Sequence, residues 1–249
     1  MTITESTTIA DIARDVPSSV RVFQQHGIDF CCGGKRPMET VCREHGLKFA
    51  DLVSAIDASC DTPGAESRDW SREPLRALVD HILTTYHQPL GEELLRLETM
   101  ASKVAHAHGG RAPYLARLEA VVNELSDDLR MHMRKEEMIL FPAIVSLEQG
   151  VHRLPVPVSA PIAMMEHEHD RAGELLTELR LLTDRYEAPE WGCATLRALY
   201  HGLETLESDM HVHVHLENNI LFPRALQLAE GGVNARSRRA GVALRHEHG

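Results

Sequence analysis

The chain has 249 residues, 43 % of them apolar and 25 % charged, which suits an ordinary globular protein with one bundle-sized core and a small accessory domain. Aromatic residues make up 4 %, too few for a β-sandwich or barrel, and favour helices rich in Leu, Ala and Glu. A net charge of −11 argues against a nucleic-acid backbone or an anionic membrane surface as partner. Sixteen histidines are the anomaly, because they gather in helical stretches that imidazole does not favour.

In chain order, the start MTITESTTIADIARDV lacks the basic and apolar regions of a signal peptide, and no window reaches the roughly 18 apolar residues of a membrane span. Five cysteines, with Cys31 and Cys32 adjacent, do not look like a secreted disulfide framework, so a reducing cytoplasm is expected. Residues 1–57 read as a small helical domain. Ile9, Ile12, Ala13 and Val16, then Val20, Val22 and Phe23, recur at helical spacing; Pro17 suits a first turn, Gly27 a stop, and Pro37 to Gly46 a further helix. The turn DFCCGG lies between them. Residues 58–70, polar and carrying Pro63 and Gly64, read as a linker.

From Ser71 the pattern predicts four long helices, at about 72–107, 113–147, 162–186 and 190–228, broken by Gly109-Gly110, by RLPVPVSAP and by a turn near Pro189. Short connections imply antiparallel neighbours, so the predicted fold is all-α, a four-helix bundle over 71–230 behind the small helical domain, with 231–249 as a loose tail.

The bundle segment repeats itself. His132 to Pro142 (HMRKEEMILFP) and His213 to Pro223 (HVHLENNILFP) share six of eleven residues at an offset of 81, and Asp128 and Asp209 extend the match. Independently, His87, Gly91, Glu92, Leu94 and Leu97 match His169, Gly173, Glu174, Leu176 and Leu179 at an offset of 82. Each half is thus a helical hairpin with one His on its first helix and His-x-x-x-Glu on its second.

Residues four apart on a helix lie about 40° from one another around the axis and one turn apart, so such a His and Glu can share a target. His87 stands 22 residues before the Gly109 turn and His132 stands 23 after it, at one height; His169 and His213 are nearly level in the second hairpin. His108 is 21 residues from His87, about 31 Å along a helix, and falls outside the cluster. Four imidazoles and two carboxylates buried without partners would cost several kcal/mol each, and a metal pair removes that cost. Two Glu, one per half, are set to bridge two ions, each held by two His; the donor set suits iron, while manganese or zinc would accept it too.

HMRKEEMILFP, EHDRAGELL and HLENNILFP, together with DFCCGG, closely resemble the di-iron iron-sulfur cluster repair proteins, whose bundle is hemerythrin-like. The resemblance runs to about Gln227. It implies two iron ions in an oxo- and carboxylate-bridged centre, with the ligands falling on His87, His132, Glu136, His169, His213 and Glu217. It also implies a redox or transient metal-handling role for Cys31 and Cys32, and an acidic position at Glu168 behind a ligand or on an iron exit path. Relative to hemerythrin, the third helix has Met165 and Gly173 where a second ligand His would stand, which implies a more open or labile iron.

The function implied is repair of clusters damaged by nitrosative or oxidative stress, by supplying iron to damaged iron-sulfur proteins. Reduction of nitric oxide to nitrous oxide, which would make the protein an oxidoreductase, and non-catalytic scavenging of nitric oxide or oxygen are the alternatives. A homodimer is compatible with the sequence. The remaining residues read blandly: ILFP as core anchors and helix ends, His211, His215 and His167 as surface residues, His81, His106 and His201 as satisfied or exposed, and His246 and His248 as tail residues. Glu137 reads as solvated, and Cys42, Cys60 and Cys193 as packing residues.

Overall fold

The structure is a computed structural model that describes residues 2–31, 33–60, 68–151 and 157–231. The expectations for Cys32, for Pro63 and Gly64 of the linker, and for the tail with His246 and His248 lie outside the described residues. Among the described residues the chain is helical, with an isolated bridge between Thr8 and Pro37 as its β feature.

The small domain contains α1 (Ile9–Asp15), α2 (Ser19–Gln25), α3 (Met38–Glu44) and α4 (Phe49–Cys60). Thr8 caps α1 by accepting a hydrogen bond from the Asp11 N–H at 3.1 Å. Gly27 and Gly46 follow α2 and α3 with φ of +63° and +66°, the left-handed stop expected of them. The helix α4 has no counterpart in the sequence reading, and it carries the domain to Cys60, past the expected boundary at 57. Ile9, Ile12, Phe23, Phe30, Met38 and Ile56 form the sealed core of this unit.

The DFCCGG turn is built on Asp29. Its carboxylate accepts from the N–H groups of Cys31 at 2.9 Å and Gly33 at 2.7 Å, and from the Cys31 thiol at 3.2 Å. At Gly34 a Cβ would stand 2.5 Å from the Phe30 carbonyl oxygen and 2.9 Å from Ala10 Cβ, so the chain passes under α1 only without a side chain.

In the bundle, the first rod joins α5 (Leu75–Ile82) to α6 (Gln88–His108); the second joins α7 (Tyr114–Lys135) to α8 (Phe141–Glu148). The third is α9 (Ser159–Leu182), and the fourth is α10 (Ala194–His215), continued as helix over 222–231. The third rod ends before the expected 186, because Asp184, Arg185 and Tyr186 turn left-handed. Going round the bundle, α6 packs on α7, α7 on α9, α9 on α10 and α10 on α6. Two apolar layers result. One holds Leu94, Leu97, Leu125, Leu176 and Leu203; the other holds Ile82, Phe141, Ile144, Ile162 and Phe222. The polar residues of interest lie between them along every rod.

Three π-helical turns interrupt the rods, at Leu83–His87, Glu136–Leu140 and Leu216–Leu221. Each is followed two residues later by a proline, Pro89, Pro142 or Pro223. In an α-helix a proline ring collides with the carbonyl four residues back. Here the N–H just before each proline donates five residues back, Gln88 to Leu83, Phe141 to Glu136 and Phe222 to Glu217, which widens the turn and lets the helix continue. The ILFP segments are therefore not helix ends, contrary to the sequence reading, although their Phe side chains do anchor the core.

The small domain rests on the fourth rod. Phe30, fully buried, meets His211 and His215 edge-on with ring centroids 5.9 and 5.6 Å away, and its carbonyl accepts from Asn219 Nδ2 at 3.1 Å. Gln24 Nε2 donates to Ser208 Oγ at 2.8 Å. His215 is buried rather than on the surface, and burial beside Arg14 holds its pKa down at about 4, so it packs as a neutral ring. His211 is half-buried at the same contact. Their spacing of two residues from His213 turns both away from it, but the face they occupy is covered by the small domain.

Candidate metal centre

His87, His132, Glu136, His169, His213 and Glu217 all converge in the layer between the two apolar cores, each at most 4 % exposed. They form two donor groups that share both carboxylates: His87, Glu136, His213 and Glu217, and His132, Glu136, His169 and Glu217, with the donor atoms of each within 4.8 Å of one another. The histidines pair across the hairpins. His87 Nε2 lies 3.2 Å from His213 Nε2, and His132 Nε2 lies 3.0 Å from His169 Nε2.

These residues fit a cation pair. Both oxygens of Glu136 and Oε2 of Glu217 are buried without a hydrogen-bond partner among the described residues, although imidazole nitrogens stand 3.2–3.5 Å away. Two ring nitrogens 3.0–3.2 Å apart, each ~2.1 Å from a common ion, would subtend roughly 95°, as neighbouring positions of an octahedron do. Without metal the charges compensate each other. Burial opposes a charge on His132, but Glu136 outweighs it and pushes the pKa up to about 9. Burial would likewise raise the Glu217 carboxyl, yet His213 and His169 hold it well below the usual range.

Behind the layer, three of the four imidazoles are braced at Nδ1. His87 meets Glu137 Oε1 at 2.9 Å, His132 meets Glu168 Oε2 at 3.1 Å, and His169 meets Asn218 Oδ1 at 2.8 Å; Lys135 pairs closely with Glu168. An acceptor at Nδ1 keeps the proton there and presents Nε2 to the centre. Glu168, next in sequence to His169, stands behind His132. Glu137 is exposed, as expected, but it also holds His87, which spacing within one helix could not reveal. Asn218 was not anticipated at all.

His108 lies apart from the layer, against Trp191 with centroids 5.6 Å apart. Cys42 is buried in the small-domain core, with its thiol pKa raised by burial, and Cys193 is half-buried; Cys60 is exposed beside Ser18, so it is not a packing residue. Cys31 is buried and lines a cleft of about 550 Å³ together with Asp29, Gly173, Arg180 and His169. Gly173, one of the two positions where the sequence lacks a histidine, lines this cleft beside Cys31 and His169. Met165, the other position lacking a histidine, is buried in the second apolar layer.

Comparison with known proteins agrees with this architecture. A profile described as the hemerythrin HHE cation binding domain matches residues 78–225, and one described as ScdA_N, a domain of unknown function, matches residues 5–59. The iron-sulfur cluster repair protein YtfE of Edwardsiella ictaluri is 42 % identical over 218 residues, which is 88 % of this chain and 96 % of that protein. Its namesake in Yersinia pseudotuberculosis is 38 % identical over 216 residues, 87 % of this chain and 95 % of its own. The chain belongs to the YtfE family. Membership makes the bundle of this YtfE-family protein a hemerythrin-like cation-binding domain, and among the described residues the six-residue layer is a buried cluster of side chains able to hold a metal ion. No helix among those residues is long and apolar enough to cross a membrane.

Proposed function

We propose that this protein repairs iron-sulfur clusters damaged by nitrosative or oxidative stress, acting in the cytoplasm as a store from which iron passes to the damaged protein. His87, His132, His169 and His213 would hold two iron ions terminally, and Glu136 and Glu217 would bridge them. The observation that carries the reading is the sharing of both buried carboxylates by two four-donor groups, since a single ion needs no such arrangement. The relatives named for cluster repair cover nearly the whole chain, which supports the same assignment.

When bound, the pair would supply labile iron and a place for small ligands such as nitric oxide or oxygen. The residues of the chain do the rest. Glu137, Glu168 and Asn218 orient the imidazoles, and the two apolar layers exclude water from the carboxylates. Cys31, on the cleft that reaches His169, and its neighbour Cys32 are the candidates for redox or transient metal handling.

Metal analysis of anaerobically purified protein should find about two irons per chain, with the near-ultraviolet bands of an oxo-bridged diferric centre after oxidation. In a defined mixture the protein should restore a cluster enzyme damaged by nitric oxide, and a His132→Leu, Glu136→Leu double variant should not. Equal restoration by that variant would refute iron supply from this centre.

A further inference from the structure

The internal repeat matches at every proposed ligand but breaks behind them. At the offset of 81, Glu137 corresponds to Asn218, and the two do equivalent work at Nδ1 of His87 and His169. At the offset of 82, Glu168 corresponds to Tyr86. Glu168 accepts from His132 Nδ1 and is itself held by Lys135, whose counterpart in the other half is Leu216. Tyr86 makes no such bond. Its ring lies flat on His213, centroids 5.2 Å apart and planes 2° from parallel, and no group among the described residues hydrogen-bonds the buried His213 Nδ1.

The pseudo-symmetric centre therefore has unequal halves. On one side His132 and His169 are both braced by residues that are themselves anchored or half-buried. On the other, Nδ1 of His87 meets Glu137, whose side chain is 46 % exposed, and behind His213 lies the stacked Tyr86 ring, with no Nδ1 partner among the described residues. A ring held by stacking can swing about its side-chain torsion away from an ion, and an imidazole without an Nδ1 acceptor is a poorer donor.

Access alone does not separate the halves, because His169 also borders a cleft. The cleft at the weaker half, about 650 Å³, is bounded by Tyr86 and His213 and walled by the carboxyl-bearing Glu92, Glu93 and Asp209, which suit a departing cation.

We propose that the two ions have different roles: the one between His87 and His213 is exchangeable, with Tyr86 as the cover over its exit, and the one between His132 and His169 is retained. The inference rests on the di-metal reading above and adds which ion is given up. Retaining one ion keeps the two buried carboxylates compensated while the other is delivered.

The test is extraction of iron from the loaded full-length protein by excess chelator. Release should come in two equal phases separated by about tenfold or more. Tyr86→Glu, which restores the acceptor found in the other half, should slow the fast phase alone, and Glu168→Gln should speed the slow phase alone. Crystals of half-depleted protein, measured at the iron absorption edge, should keep the ion beside His132 and His169. A single release phase from a doubly loaded protein, or the retained ion lying beside His87 and His213, would overturn the inference and leave the di-metal reading standing. Binding of fewer than two ions by the untreated protein would overturn both.

Discussion

Asn218 and Glu137 each follow directly after a proposed bridging glutamate, yet each serves a histidine on another helix. A residue adjacent in sequence to a ligand lies about 100° away from it on a helix, so its side chain reaches across to the neighbouring rod. The converging histidines and glutamates are legible in the sequence because each His-x-x-x-Glu pair shares one helix face at a spacing of four. Their braces are not, since each is defined by an interhelical distance that a single helix does not encode.

Asn218→Ala should lower metal affinity about 10- to 100-fold at unchanged helicity, as measured by metal titration under a competing chelator and by circular dichroism. Wild-type affinity in that variant would show that His169 needs no brace. Gly34 belongs to this scale too. Gly34→Ala would drive a Cβ into the Phe30 carbonyl, and should destabilise the small domain by about 1–3 kcal/mol in denaturant titrations, with metal content unchanged.

Among the elements, the π turns carry the main lesson. A proline inside an apolar run reads as a helix end, which is why ILFP was misassigned, whereas a five-residue hydrogen-bond step lets the rod pass Pro142 and Pro223. Glu136 and Glu217 are the residues whose carbonyls accept those longer bonds, so the wide turn sets the height and rotation of both carboxylates. Pro142→Ala should let this turn relax to regular helix. The metal-free protein should then melt no lower than wild type, or higher, while metal affinity falls, by calorimetry and titration respectively. Unchanged affinity would mean that the turn does not aim Glu136. The helix α9, which has no proline beyond its first turn, contributes its histidine from an unbroken rod.

For the whole molecule, the docking of the small domain matters most. Phe30 sits with no exposed surface between the Asp29 turn and His211 and His215. Phe30→Ala should cost about 3–5 kcal/mol, and because the ring belongs to the interface it should raise amide exchange in α1 to α3 well above that in the bundle. Loss of bound metal in that variant would show that the bundle depends on the docked domain for its centre. Metal removal acts on the bundle itself: at a free metal concentration a hundred times the dissociation constant, binding adds about 2.7 kcal/mol to stability, so a chelator should lower the bundle's melting temperature and leave the small domain's unchanged.

The all-α class, the antiparallel rods, the duplicated hairpin and the six converging donors are all written in periodicity and spacing, because helix geometry converts sequence distance directly into height and angle. Tertiary structure alone decided that the histidines pair across the hairpins, His87 with His213 and His132 with His169. It likewise decided that a face carrying His211 and His215 is interior, and that three of the four imidazoles have a brace. Those outcomes depend on how separate rods and domains rotate against one another. That rotation is set by packing of whole surfaces and leaves no trace in the repeat of any one helix.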